Sequence, residues 1–154
     1  MAGNAFQYLT EDDDLRASLT ATQRTPTPGA HFVFETRHPQ ARAWEDWTKA
    51  EPAHITHAAR PLVMREWHIE SVTQGVVTMT ETTATPNGTI LHAGRDTLRS
   101  LDQPTLNQRL EAAGFTIENQ FGDFTRTRII PAGRTIVTVV KTTLPRRALP
   151  NSFM

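Results

Sequence analysis

Pro28-Gly29-Ala30-His31-Phe32-Val33-Phe34-Glu35-Thr36-Arg37 is the stretch on which the fold turns. Proline and glycine end whatever precedes them, and His31 to Thr36 then reads as a short strand of β-prone residues. Phe32, Val33 and Phe34 are apolar in succession, which predicts a strand buried on both faces, as in a mostly parallel α/β sheet. Glu35 and Arg37 close the strand, where an acid and a base can hold a polar substrate or form a solvated ion pair.

Working towards the amino terminus, Thr10 followed by Glu11, Asp12 and Asp13 reads as a helix start, a hydroxyl cap with acids where the helix dipole favours them. Leu15 and Leu19 then share a face, and Pro26, Pro28 and Gly29 end the helix. In the other direction, Ala41 to Trp47 predicts a short helix with Trp44 and Trp47 one turn apart. Met64–Val72, Val76–Thr83 and Thr89–Leu101 are β-rich runs separated by Gln74-Gly75 and Pro86-Asn87-Gly88, the chemistry of hairpin turns. They predict a three-stranded antiparallel meander over about 62–101. Leu106, Leu110 and Ala113 share the face of a helix that begins near Pro104 and stops at Gly114. Thr116–Phe121 and Thr135–Thr143 read as two further strands, and Pro145–Met154 as a frayed tail.

The 154 residues suit one domain, and sixteen basic residues cancel sixteen acidic ones, leaving no electrostatic footprint for nucleic acid or an anionic membrane. Cysteine is absent, so disulfides, thiolate metal sites and cysteine nucleophiles are excluded together. No window approaches the roughly 20 apolar residues of a membrane helix, and no signal-like stretch opens the chain, so a cytoplasmic location is expected.

Three segments carry a resemblance. Gly3-Asn4-Ala5-Phe6-Gln7 with Asp13-Asp14-Leu15-Arg16 is similar to the segment that leaves the fourth strand of class I S-adenosylmethionine-dependent methyltransferases, beside the transferable methyl group. Pro28 to Arg37 resembles that family's proline-glycine turn and fifth strand, whose end faces the substrate. Leu106 to Phe115 with Glu111-Ala112-Ala113-Gly114-Phe115, then Gly122-Asp123-Phe124 and Thr135–Val140, resembles the last helix and closing hairpin. The resemblance implies an α+β fold across a single domain, 1–154. This is a partial Rossmann-like sheet of the fifth, sixth and seventh strands, mixed in direction, plus the antiparallel meander as an insertion, with helices packed on it.

The family's glycine-rich turn and ribose-binding acid have no counterpart, since no G-x-G-x-x-G or similar cluster follows a strand here. By the resemblance, Met1 falls inside a structural element, and the chain is a carboxy-terminal half lacking the half that grips the cofactor. The implied parent activity is methyl transfer from S-adenosylmethionine to a small polar nucleophile, with no cofactor and no catalysis expected of this chain alone. The alternative is a non-enzymatic small-ligand-binding or dimerisation module. In the parent enzyme Asn4, Phe6 and Gln7 would lie near the reacting centre, an amide and an aromatic able to orient a nucleophile or shield a sulfonium. The plainer reading is a hydrophilic loop with one buried phenylalanine.

Glu35, Arg37, Trp44 and Arg95 are the candidate substrate contacts. Trp44, Trp47 and Trp67 either wall a small-molecule pocket or belong to the core. Arg95 and Arg99 share a strand face, where they bind an anion or, the preferred reading, pair with Glu66 and Glu70 across the meander. His54 and His57 have helical metal spacing but are bracketed by Pro52 and Pro61 as loop, so no metal is expected. His68 and His92 face one another as acid and base, or simply line a wet face. The absent neighbour of His31–Thr36 leaves an open strand edge, from which a homodimer follows.

Overall fold

A computed structural model describes residues 1, 3–24, 29–47, 53–57, 60–131 and 133–142, with the backbone alone for 53–57 and 60–64. The expected break at Thr25–Pro28 and the carboxy-terminal tail lie outside the described residues. β1 (His31–Arg37), β6 (Phe115–Phe121) and β7 (Thr135–Thr142) form one sheet in the order β1-β7-β6. Both pairings are antiparallel, which corrects the expected mixed sheet. Val33 is 40% exposed, so β1 is buried on one face and not on two, a second correction. Phe34 is fully buried, and the register sets it opposite Thr138, with Thr36 opposite Ile136 and Phe32 opposite Val140. Apolar residues two apart therefore share one face, and Val33 points away from it.

Two helices cover that face. α1 (Asp12–Arg24) supplies Leu15 and Leu19, and α3 (Gln103–Ala112) supplies Leu106 and Leu110, to a core shared with Phe6, Phe34, Phe115, Ile136 and Val140. α3 starts where Asp102 accepts a hydrogen bond from the Thr105 amide at 2.8 Å, with Pro104 in its first turn, where a missing amide hydrogen costs nothing. It ends at Ala112, with Ala113 as the cap before Gly114, the stop expected from the sequence. α1 begins at Asp12, past the Thr10–Glu11 start expected from the sequence, with Asp12, Asp13 and Asp14 all in the first turn, where the helix dipole favours acids.

The second sheet has four strands in the order β2-β3-β4-β5, all antiparallel: β2 (Ala53–His57), β3 (Arg60–Thr73), β4 (Val76–Ala84) and β5 (Ile90–Arg99). The meander is there, and β2 adds a strand where a loop was expected. The β3–β4 turn places both Gln74 and Gly75 at positive φ, 50° and 80°, the backbone that matches the twist of a tight hairpin. A short α2 (Trp44–Trp47) follows a single 3₁₀ turn at Pro39–Ala41. Among the described residues no helix is long and apolar enough to cross a membrane.

Candidate functional site

A cleft of about 330 Å³ opens between the end of β1 and the four-stranded sheet, lined by Gly3, Asn4, Gln7, Tyr8, Arg37, Trp47, Trp67, Met79 and Leu98. The 3₁₀ turn Ala5–Tyr8 packs between β1 and β5 and brings Gln7 and Tyr8 to it. β1 ends at Arg37, α2 supplies Trp47, and β3, β4 and β5 deliver Trp67, Met79 and Leu98. Aromatic and apolar walls with a few polar groups are the usual make-up of a small-molecule site.

Three polar groups of the cleft, on Gln7, Arg37 and Trp67, have a defined setting. Gln7 is 1% exposed, and its Nε2 donates to Ser100 Oγ at 3.0 Å, while its Oε1 is buried with no partner among the described residues. The guanidinium of Arg37 lies over the Trp47 ring, 5.3 Å from its centre. Desolvation lowers the pKa of Arg37 from its ordinary value; Glu35 opposes this and the charge of Arg134 adds to it. Arginine nonetheless stays protonated. Trp67 Nε1 donates to Glu81 Oε2 at 3.1 Å, and Arg65 meets the other oxygen of Glu81 at 3.0 Å, so the indole is held in place from outside the cleft.

Of the residues singled out in the sequence, the structure brings Asn4, Gln7, Arg37, Trp47 and Trp67 together. Phe6 goes to the core, stacked on Phe34 with ring centres 4.5 Å apart. Glu35 Oε1 accepts from the amides of Gly3 and Asn4 at 2.9 and 3.3 Å, so it holds the amino-terminal segment against β1 and is not among the cleft-lining residues. Trp44 lies outside the lining. Arg95 pairs with Glu70 at 2.7 Å, the cross-strand reading. Arg99 instead meets Asp12, because the strand register places it opposite Val76, at the far end of the sheet from Glu66 opposite Thr82.

His68 lies opposite Thr80 and His92 opposite Thr83, so the two do not face one another. His54 and His57 stand on β2, their side chains outside the described residues, and among the described residues no cluster suited to a metal occurs. Tyr8, Met79, Leu98 and Ser100 were missed; only the alternation of β4 and β5 hinted at the inward side of Met79 and Leu98.

Most of the chain has a known counterpart in shape. The CcbJ methyltransferase of Streptomyces caelestis superposes with a TM-score of 0.68 at 16% identity, over 93% of this chain and 55% of that one. An S-adenosylmethionine-dependent methyltransferase of Clostridium acetobutylicum gives 0.68 at 13% identity, over 92% and 56%. The fold is that of part of an S-adenosylmethionine-dependent methyltransferase. CalS10 of Micromonospora echinaspora, an amino pentose methyltransferase solved with S-adenosylmethionine bound, gives 0.57 at 17% identity, over 90% and 55%. The chain thus spans a little over half the length of these structures. Neither protein-family models nor curated proteins match the sequence.

The residues present do not by themselves fit this cofactor. Among the described residues no glycine-rich turn joins a strand to a helix: Gly75 and Gly88 sit at hairpin turns and Gly114 follows α3. Glu35, whose carboxylate meets the amino-terminal segment, is already engaged by the amides of Gly3 and Asn4.

Proposed function

We propose that this chain is the acceptor-binding side of a class I S-adenosylmethionine-dependent methyltransferase, its carboxy-terminal half. The parent enzyme transfers a methyl group to a small polar nucleophile held in the cleft of Gln7, Arg37, Trp47 and Trp67. Asn4 and Gln7 lie beside that nucleophile, and the grip on the cofactor comes from outside these 154 residues, so the chain alone is inactive. One observation carries the reading: over nine-tenths of the chain follows methyltransferase structures that are themselves only about 55% covered. Alignment and desolvation of the nucleophile are what the cleft contributes, since a sulfonium is already a good leaving group.

Two measurements test this. Calorimetric titration with S-adenosylmethionine and S-adenosylhomocysteine into the millimolar range is expected to show no saturable heat; saturable binding would overturn the claim that the cofactor grip lies elsewhere. The coding region upstream is expected to encode, in frame, a glycine-rich strand-turn-helix. An in-frame stop codon there would favour the second reading, a non-enzymatic ligand-binding module. That reading draws support from the cleft itself, with its aromatic and apolar walls and few polar groups.

The edge of β1 supports a further element of the proposal, a homodimer. Among the described residues β1 pairs with β7 alone, and its other edge receives one backbone bond, from the Met1 amino group to Val33 O at 2.6 Å. Unpaired edge groups favour addition of a strand from a second copy. Light scattering at micromolar concentration is expected to give twice the chain mass, and a monomer alone would sink the idea.

A further inference from the structure

The polar groups of the cleft specify the charge of its occupant. Arg37 is partly buried and, among the described residues, meets no carboxylate within ion-pair distance, whereas Arg99, Arg109 and Arg134 each meet an aspartate. The Arg37 guanidinium carbon lies 5.3 Å from the centre of the Trp47 ring. A guanidinium so placed matches a planar carboxylate, two parallel N–H donors to two oxygens. A cationic ligand would be repelled by it. Opposite in character, Gln7 Oε1 is a buried acceptor with no donor among the described residues, and one of the two hydrogens on its amide nitrogen goes to Ser100. The walls between them, Trp47, Trp67, Met79 and Leu98, suit a flat apolar body.

We infer that the cleft takes a small, flat carboxylic acid, its carboxylate on Arg37. Glu35 and Arg134 act on Arg37 with opposite signs, which leaves the single charge of Arg37 for the occupant to match, and a carboxylate does so where a phosphate dianion exceeds it. The inference deepens the reading above and rests on the cleft being the acceptor site.

4-Hydroxybenzoate is the probe, with 4-hydroxybenzamide as its neutral counterpart and inorganic phosphate as the rival anion. Calorimetry on the intact chain, with tryptophan fluorescence alongside, is expected to show saturable binding of 4-hydroxybenzoate and a loss of roughly tenfold or more for the amide. Arg37→Gln should lose as much, and Arg37→Lys should recover only part, since a lysine cannot make the paired contact. Equal binding of the amide, tighter binding of phosphate, no saturable binding of 4-hydroxybenzoate, or an unaffected Arg37→Gln would each overturn the inference. If circular dichroism shows Arg37→Gln unfolded, the three-ligand comparison on the native chain decides by itself. Absence of carboxylate binding leaves the methyltransferase reading standing on its own tests, whereas an upstream stop codon would remove that reading and leave a carboxylate-binding cleft.

Discussion

Arg99 donates to Asp12 at 2.7 Å across 87 residues of sequence, and the second oxygen of the same carboxylate accepts from Arg109 at 2.6 Å. Asp12 thereby ties the start of α1 to the end of β5 and to α3. The Arg99 hydrogen bond is the largest cause holding its pKa below the ordinary 3.8, with desolvation opposing and the charges of Arg99 and Arg109 assisting. A carboxylate whose pKa falls on folding adds stability above its unfolded pKa and loses it as pH drops through the folded one. Asp12→Asn is therefore expected to melt a few degrees below wild type at neutral pH, with the gap closing below the ordinary 3.8. Melting curves of both proteins along an acid series check this.

His38 titrates in a different window. It is buried, its Nδ1 accepts from the Gln40 amide at 3.2 Å, and desolvation lowers its pKa from 6.5, with Asp102 opposing. Because folding disfavours the charged form, the stability present above the unfolded pKa is lost as pH falls from there towards the folded one. Comparing melting temperatures of wild type and His38→Gln on either side of 6.5 should show a downward step on acidification in wild type alone.

Phe6 is 3% exposed and stacked on Phe34, so Phe6→Ala should cost about 3–5 kcal/mol in urea unfolding. A variant with unchanged stability would contradict its placement in the core.

Gly75 tolerates no side chain. Its φ is 80°, and a Cβ there would stand 2.6 Å from the Ser100 carbonyl oxygen. Gly75→Ala is expected to lose more than the roughly 1–2 kcal/mol of left-handed strain alone, read as a lowered urea midpoint.

Local chemistry made much of this fold legible. Gln74-Gly75 and Gly88 fixed two hairpins through their positive φ, and Pro104 and Gly114 bounded α3, while the Asp102 cap went unread. β2 was hidden because Ala53–His57 sits next to Pro52 and holds two histidines, a composition that reads as loop until a partner strand pairs with it. The sidedness of β1 was misread because Phe32-Val33-Phe34 gives no alternation, and only β7 and the helices decide which face is covered. Arg95 found Glu70 as its type and spacing suggested, while Arg99 found Asp12, a partner no strand register could indicate. The cleft was partly visible as Asn4, Gln7, Arg37 and two tryptophans, but the contact of Gln7 with Ser100 spans 93 residues and leaves no local trace.

That contact joins the floor of the cleft to a surface turn. The Ser100 amide donates to the Gly75 carbonyl at 2.8 Å while the Ser100 hydroxyl accepts from Gln7, so one residue belongs to both places. A change at the hairpin that displaces the Ser100 backbone is thereby felt by the Gln7 side chain, although neither Gln74 nor Gly75 lines the cleft.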